Sequence, residues 1–209
     1  MPAGWDAATN EMHLHNGRVS YVARVLEDGS LGHLYFGPAL TPGRSYRHLG
    51  RRPFAGFSNR AGEPVAREYP TGGSGDFRVP ALVVDPADGS TVLHLAYAGH
   101  RILPGKPALQ GLPATYVEGD DEAETVEVLL RDTPSGIEVA LLYTIFAGAP
   151  VVARSARIRN GGTEPCRVRC AMSAALDLPD AAWDLVQLSG TWARERHVVT
   201  RPLASGRQA

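Results

Sequence analysis

Apolar residues recur at every second position through most of this chain, and nearly every such run is closed by glycine, proline, asparagine or aspartate. A period of two is the geometry of a strand with one buried face, whereas an amphipathic helix repeats every three to four residues. Residues 125–130 thus place Val126, Val128 and Leu130 on one face, and residues 137–146 do the same for Ile137, Val139, Leu141, Tyr143 and Ile145. Three short runs at 12–15, 19–26 and 31–36 are separated by Asn16-Gly17 and by Glu27-Asp28-Gly29-Ser30, which makes an antiparallel meander. Further strands are expected at 77–84, 91–102, 151–158 and 166–174. In the last, Cys166, Val168 and Cys170 should face inward and Arg167 and Arg169 outward. Roughly nine or ten strands at short spacing predict an all-β fold, a large antiparallel β-sandwich over residues 1–209. Two stretches break the pattern, 37–75 and 104–113, both rich in proline and glycine. A short helix is expected near residues 180–188, where Asp180 can cap and Ala181-Ala182-Trp183 follow. The alternation fades from Val198 onward.

A chain of 209 residues with 44% hydrophobic and 21% charged residues can bury a full core. The net charge of −1 supplies no bulk positive field for nucleic acid or an anionic membrane, so neither is expected as a partner. The first six residues, Met1-Pro2-Ala3-Gly4-Trp5-Asp6, show no secretory leader, and no apolar run is long enough to span a bilayer. Cys166 and Cys170 on one strand would have Cα atoms roughly 13 Å apart, too far for a mutual disulfide. Two reduced thiols and a cytoplasmic location are therefore expected.

Candidate chemistry is sparse. Asp120-Asp121-Glu122 with Glu124 are adjacent acids at a strand entrance and do not span a cleft as a glycosidase pair must. They read as solvated turn acids. Gly72-Gly73-Ser74-Gly75 opens a strand rather than a helix, so it reads as a turn and not a phosphate cradle. His13 and His15 would share a strand face at metal-ligand spacing, but no third ligand is evident and no metal is expected. No G-x-S-x-G nucleophile motif occurs. The stretch 187–197 is denser, with Trp192, Arg194, Glu195, Arg196 and His197 close behind Gly190. An indole can stack on a sugar ring while guanidiniums and carboxylates bond its hydroxyls. Composition alone favours a packed indole with surface ion pairs.

An ordered series of segments changes that balance. It comprises Leu31-Gly32-His33-Leu34-Tyr35-Phe36-Gly37, Glu68-Tyr69-Pro70, Gly75-Asp76-Phe77-Arg78-Val79-Pro80-Ala81 and His100-Arg101-Ile102 with Gly105-Lys106-Pro107. It continues through Gly111-Leu112-Pro113-Ala114-Thr115-Tyr116-Val117-Glu118, Glu122-Ala123-Glu124-Thr125, Arg154-Ser155-Ala156-Arg157 and Leu176-Asp177-Leu178-Pro179, and ends on residues 188–196. In this the chain resembles the N-terminal domain of glycoside hydrolase family 36, the microbial α-galactosidases. The resemblance implies a β-supersandwich leading into a (β/α)₈ barrel. That barrel would carry two catalytic aspartates and a retaining mechanism through a galactosyl-enzyme intermediate. The aspartates lie outside this chain, so it holds no catalytic residue and is expected to be inactive alone. The implied partners are a galactoside substrate, the downstream barrel and further copies in a homo-oligomer, a homotetramer; no cofactor is implied. By motif match, Trp192 reaches the galactose pocket, while Arg194, Glu195 and Arg196 orient its loop. Family members also place an acid shortly before an arginine–x–phenylalanine; Arg51, ahead of Arg52-Pro53-Phe54, stands there instead. The rival readings are an independent carbohydrate-binding module and a purely structural domain with Trp192 buried in the sandwich core.

Overall fold

The computed structural model describes residues 3–50, 66–76, 78–111, 114–178 and 181–204. The period-two runs fold as strands, in the order β1 (Ala3–Asp6), β2 (Glu11–His15), β3 (Val19–Val25), β4 (Leu31–Pro38), β5 (Leu82–Asp85), β6 (Ala96–Pro104), β7 (Ala123–Arg131), β8 (Ile137–Phe146), β9 (Val152–Asn160), β10 (Arg167–Ala171), β11 (Asp184–Thr191) and β12 (Arg194–Pro202). They divide between two units, Met1–Asp177 and Leu178–Ala209. Among the described residues no helix is long and apolar enough to cross a membrane.

In the first unit β1-β2-β3-β4 form one four-stranded antiparallel sheet and β6-β7-β8-β9 another, and β5 pairs with β10. Met12, Leu14, Tyr21 and Ala23 from the first sheet share one buried cluster with Val126, Val128, Leu130, Val139, Leu141, Tyr143 and Ile145 from the second. The faces expected from alternation in residues 125–130 and 137–146 are thus the faces that meet the first sheet, making a β-sandwich. Each fully buried aliphatic side chain contributes about 1.5–3 kcal/mol of hydrophobic stabilisation. Asn16 makes the first hairpin turn serve both sheets. Its Oδ1 accepts from the Arg18 and Val19 amides at 3.0 and 3.1 Å. Its Nδ2 donates to the Phe146 and Ala149 carbonyls at the far end of β8, both at 2.7 Å. Gly17 beside it has a φ of 80°, a conformation that costs glycine little.

The irregular stretch 37–75 is anchored at both described ends. Buried Glu11 accepts from Ser45 Oγ at 2.6 Å and from the Tyr46 amide at 2.8 Å, just before the short 3₁₀ turn Arg47–Leu49. On the return, residues 66–68 hydrogen-bond along β4, Arg67 bridging Gly32, and Thr71 bridges Leu82 of β5, with Glu68 completely buried.

Several expectations are corrected. The strand expected over 77–84 is confined to Leu82–Asp85, and Phe77 lies outside the described residues. Pro80 cannot donate to a ladder, which delays pairing until after it. The strand expected from residue 91 begins at Ala96. β1 was not foreseen, because four residues carry too little alternation to register; its ladder to β2 defines it. Val168 is 49% exposed rather than inward, because the β5–β10 register slips between Val168 and Cys170. Both cysteines are free and half-buried.

The second unit is a hairpin. The helix expected near 180–188 is not formed: Asp184–Thr191 is a strand, hydrogen-bonded to Arg194–Pro202, and Asp180 lies outside the described residues. Val186 and Leu188 lie two apart on one face of it, and the fading tail supplies a partner strand that local pattern cannot reveal. Leu203 closes the open end, its amide donating to the Trp183 carbonyl at 2.8 Å.

Candidate functional site

Trp192 sits at the tip of the β11–β12 hairpin. Thr191 pairs with Arg194, which leaves Trp192-Ala193 as a two-residue turn. One step back Ser189 pairs with His197, so β12 carries one more residue than β11 and bulges. The extra length is absorbed by left-handed backbone at Ala193 (φ 61°) and Arg196 (φ 60°). Asn10 is the other non-glycine residue with positive φ among the described residues, and asparagine tolerates that region far better than alanine or arginine. Such backbone costs about 1–3 kcal/mol per residue and concentrates at functional sites.

Two residues make this turn possible. A Cβ on Gly190 would run into the Arg194 carbonyl oxygen and fall 2.8 Å from the Glu195 Cα, so no other residue fits without moving backbone. Glu195 Oε1 accepts from the Ala193 amide at 2.9 Å, satisfying a donor that the hairpin ladder leaves unpaired. The turn lifts the Trp192 indole clear of the chain, 93% exposed. Arg194, Glu195, Arg196 and His197 are exposed beside it. Val186, Leu188 and Val198 lie on one face of the same hairpin, 60%, 69% and 67% exposed, with Leu188 directly opposite Val198. The tip therefore offers an aromatic face, two guanidiniums and one carboxylate. It can bind through stacking and hydrogen bonds, but it has no second carboxylate across a cleft for glycosidic acid–base chemistry.

A second polar constellation lies inside the sandwich. The Tyr21 hydroxyl donates to both Glu68 oxygens at 2.8 and 2.7 Å, and the Tyr143 hydroxyl donates to Oε2 at 2.9 Å. The His33 ring lies 2.8 Å from Oε1, and Arg154 pairs with Oε2 at 2.8 Å. Burial alone would push this carboxyl up; the Arg154 guanidinium, then His33 and Tyr21, outweigh it and hold it down at about 2. Burial, with the Glu68 charge next, pushes both tyrosines well above their usual range. Arg154 also donates to the Ala175 carbonyl at 2.6 Å and lies 4.7 Å from the Tyr143 ring centre. Each of these polar groups has a partner inside the cluster, which ties the Glu68 side chain to Tyr21 of one sheet and to Tyr143 and Arg154 of the other.

The remaining candidates stay separate. His13 donates to or accepts from Ser20 Oγ at 2.9 Å, with the His15 ring 5.2 Å away. Among the described residues no group of three or more potential ligands is placed to hold a metal. Asp120–Glu122 is an exposed 3₁₀ turn, and Gly72-Gly73-Ser74-Gly75 is a turn, with Gly73 and Gly75 at positive φ. Arg51 and Arg52-Pro53-Phe54 lie outside the described residues.

A family profile described as "Glycosyl hydrolase family 36 N-terminal domain" matches residues 29–209. The chain belongs to that family. The family 36 domain is 42% identical, over all of its own length and 30% of the relative's, to alpha-galactosidase AgaA of Geobacillus stearothermophilus. It is 36% identical to alpha-galactosidase Mel36A of Lactobacillus acidophilus, over 97% of the chain and 29% of the relative. It therefore spans about three-tenths of the curated relatives it matches. Among solved structures it superposes on alpha-galactosidase AgaB of G. stearothermophilus with a TM-score of 0.86 at 41% identity, covering 99% of the chain and 29% of that protein. The alpha-galactosidase of Lactobacillus brevis gives 0.89 at 36% identity, with 97% and 28% covered. A variant of AgaA solved in complex with raffinose gives 0.83 at 42% identity, with 94% and 28% covered. The family 36 sequence motif pointed to Trp192 and to Arg194, Glu195 and Arg196 as orienting its loop; the contacts of Gly190 and Glu195 in the turn are not legible in the sequence, because each involves backbone atoms.

Proposed function

We propose that residues 1–209 form the non-catalytic N-terminal β-sandwich of a retaining α-galactosidase, acting in the cytoplasm on terminal α-D-galactosides. In this reading Trp192 walls the substrate pocket of a catalytic barrel that follows in the same polypeptide. The domain also helps assemble a homo-oligomer, a homotetramer. The observation that carries the reading is the indole itself. It is 93% exposed on a turn with two strained backbone positions, which a residue with no partner would not require. The exposed apolar face of Val186, Leu188 and Val198 supports it, since such a face on a folded chain marks a surface that something covers. The raffinose complex of a relative supports an oligosaccharide ending in α-galactose as the substrate class.

The chain and a polypeptide that continues it through the barrel are compared on nitrophenyl α-galactoside. Cleavage is expected in the longer polypeptide alone. Hydrolysis by the 209-residue chain would refute the non-catalytic assignment. The exposed indole also suits an independent carbohydrate-binding module, so the chain is titrated with galactose and raffinose by calorimetry. Weak or absent binding is expected here, whereas tight saturable binding would favour the module.

A further inference from the structure

We propose that Glu195 is a positioning residue that aims the Trp192 indole, with Gly190 as its structural counterpart; the inference rests on the reading that Trp192 meets substrate. The turn has little else to hold it. Trp192-Ala193 is closed by a single flanking pair, Thr191 with Arg194, and the next ladder pair lies beyond the bulge at Ser189 and His197. Alanine at φ 61° would relax to an ordinary backbone in a free loop, which would swing the preceding indole. The 2.9 Å bond from the Ala193 amide to the Glu195 carboxylate, two residues on in the strand that leaves the turn, opposes that relaxation. The left-handed Arg196 that follows sets the bulge beside Glu195. At Gly190 the Arg194 carbonyl oxygen occupies the place a Cβ would take, so the two strands close over a bare α-carbon. Glu195 thus acts on substrate through the backbone of Ala193. That makes it a positioning residue rather than an acid or a base.

Three variants in the barrel-containing polypeptide test this with nitrophenyl α-galactoside. Glu195→Ala should raise KM about fivefold with kcat within about twofold, the size of one exposed charge-assisted hydrogen bond. Glu195→Gln keeps an amide oxygen that can accept the Ala193 amide, and should return KM to within about twofold of the parent. Trp192→Ala should raise KM at least as far as Glu195→Ala. An effect of Trp192→Ala with none from Glu195→Ala would overturn the positioning role while leaving the pocket reading intact. The reverse separation, no effect from Trp192→Ala, would remove the pocket reading. Fluorine NMR of the 5-fluorotryptophan-labelled chain decides the positioning role without catalysis: Glu195→Ala should shift or broaden the Trp192 resonance, and an unchanged line would overturn the inference.

Discussion

Glu68 and Trp192 are opposite uses of a side chain. Glu68 is wholly buried and all its work is internal: five polar contacts convert an isolated carboxylate, which would be intolerable in a core, into a fastening between sheets. Removing one member leaves another charge stranded. Glu68→Gln should therefore lower unfolding stability by about 3–5 kcal/mol in urea titration, because Arg154 is left buried without its counter-ion. Combining it with Arg154→Met should cost clearly less than the two single changes added together; simple additivity would show that the pair is not coupled. Trp192 behaves in the other way. With its indole in solvent, Trp192→Ala should change the stability of the chain by no more than about 0.5 kcal/mol, and a larger loss would mean that it packs against the fold.

The elements differ in how far they declare themselves. β7 and β8 were legible residue by residue, since Val126, Val128, Leu130 and the alternating series from Ile137 to Ile145 are all buried as their spacing demands. The hairpin β11–β12 was legible only as a motif around Trp192. Its strands bury little, so no period-two pattern of burial is imposed on them, and alanines before Trp183 mimic a helix start. β1 was missed for a related reason: its order comes from the ladder to β2, a non-local partner. Glu68 and Arg154 lay within motif segments, yet nothing local says that a glutamate from an irregular stretch and an arginine 86 residues later meet in one core. Among the described residues β11 and β12 pair only with each other, whereas β7 and β8 are each flanked on both sides. Native-state hydrogen exchange should find the Leu188 and Val198 amides exchanging at least about a hundredfold faster than those of Val128 and Leu141. Equal protection would contradict this separation.

On the scale of the whole molecule, acid is the condition that should discriminate. Burial, reinforced by the neighbouring His15, holds the His13 ring down at about 4 against a usual 6.5. The unfolded chain then binds a proton that the folded chain refuses, so stability falls as pH drops from about 6.5 towards 4. Glu68 follows with the same sign: its contribution is complete above the usual 4.5 and is lost as pH falls through its own value of about 2. That loss is on the order of 3 kcal/mol. Melting temperature measured across pH should be level above about pH 7 and decline in two stages below it, and His13→Gln should shrink the first stage, to which the burial-depressed His15 and His100 rings also contribute, and leave the second in place.

Steady-state kinetics of Trp192→Ala in the barrel-containing polypeptide test most directly whether the indole at the hairpin tip serves a galactoside pocket. A stacked aromatic face lost from the pocket should lower kcat/KM for nitrophenyl α-galactoside at least about tenfold, with the fold of the variant intact. A kcat/KM within about twofold of the parent polypeptide would place Trp192 outside the site.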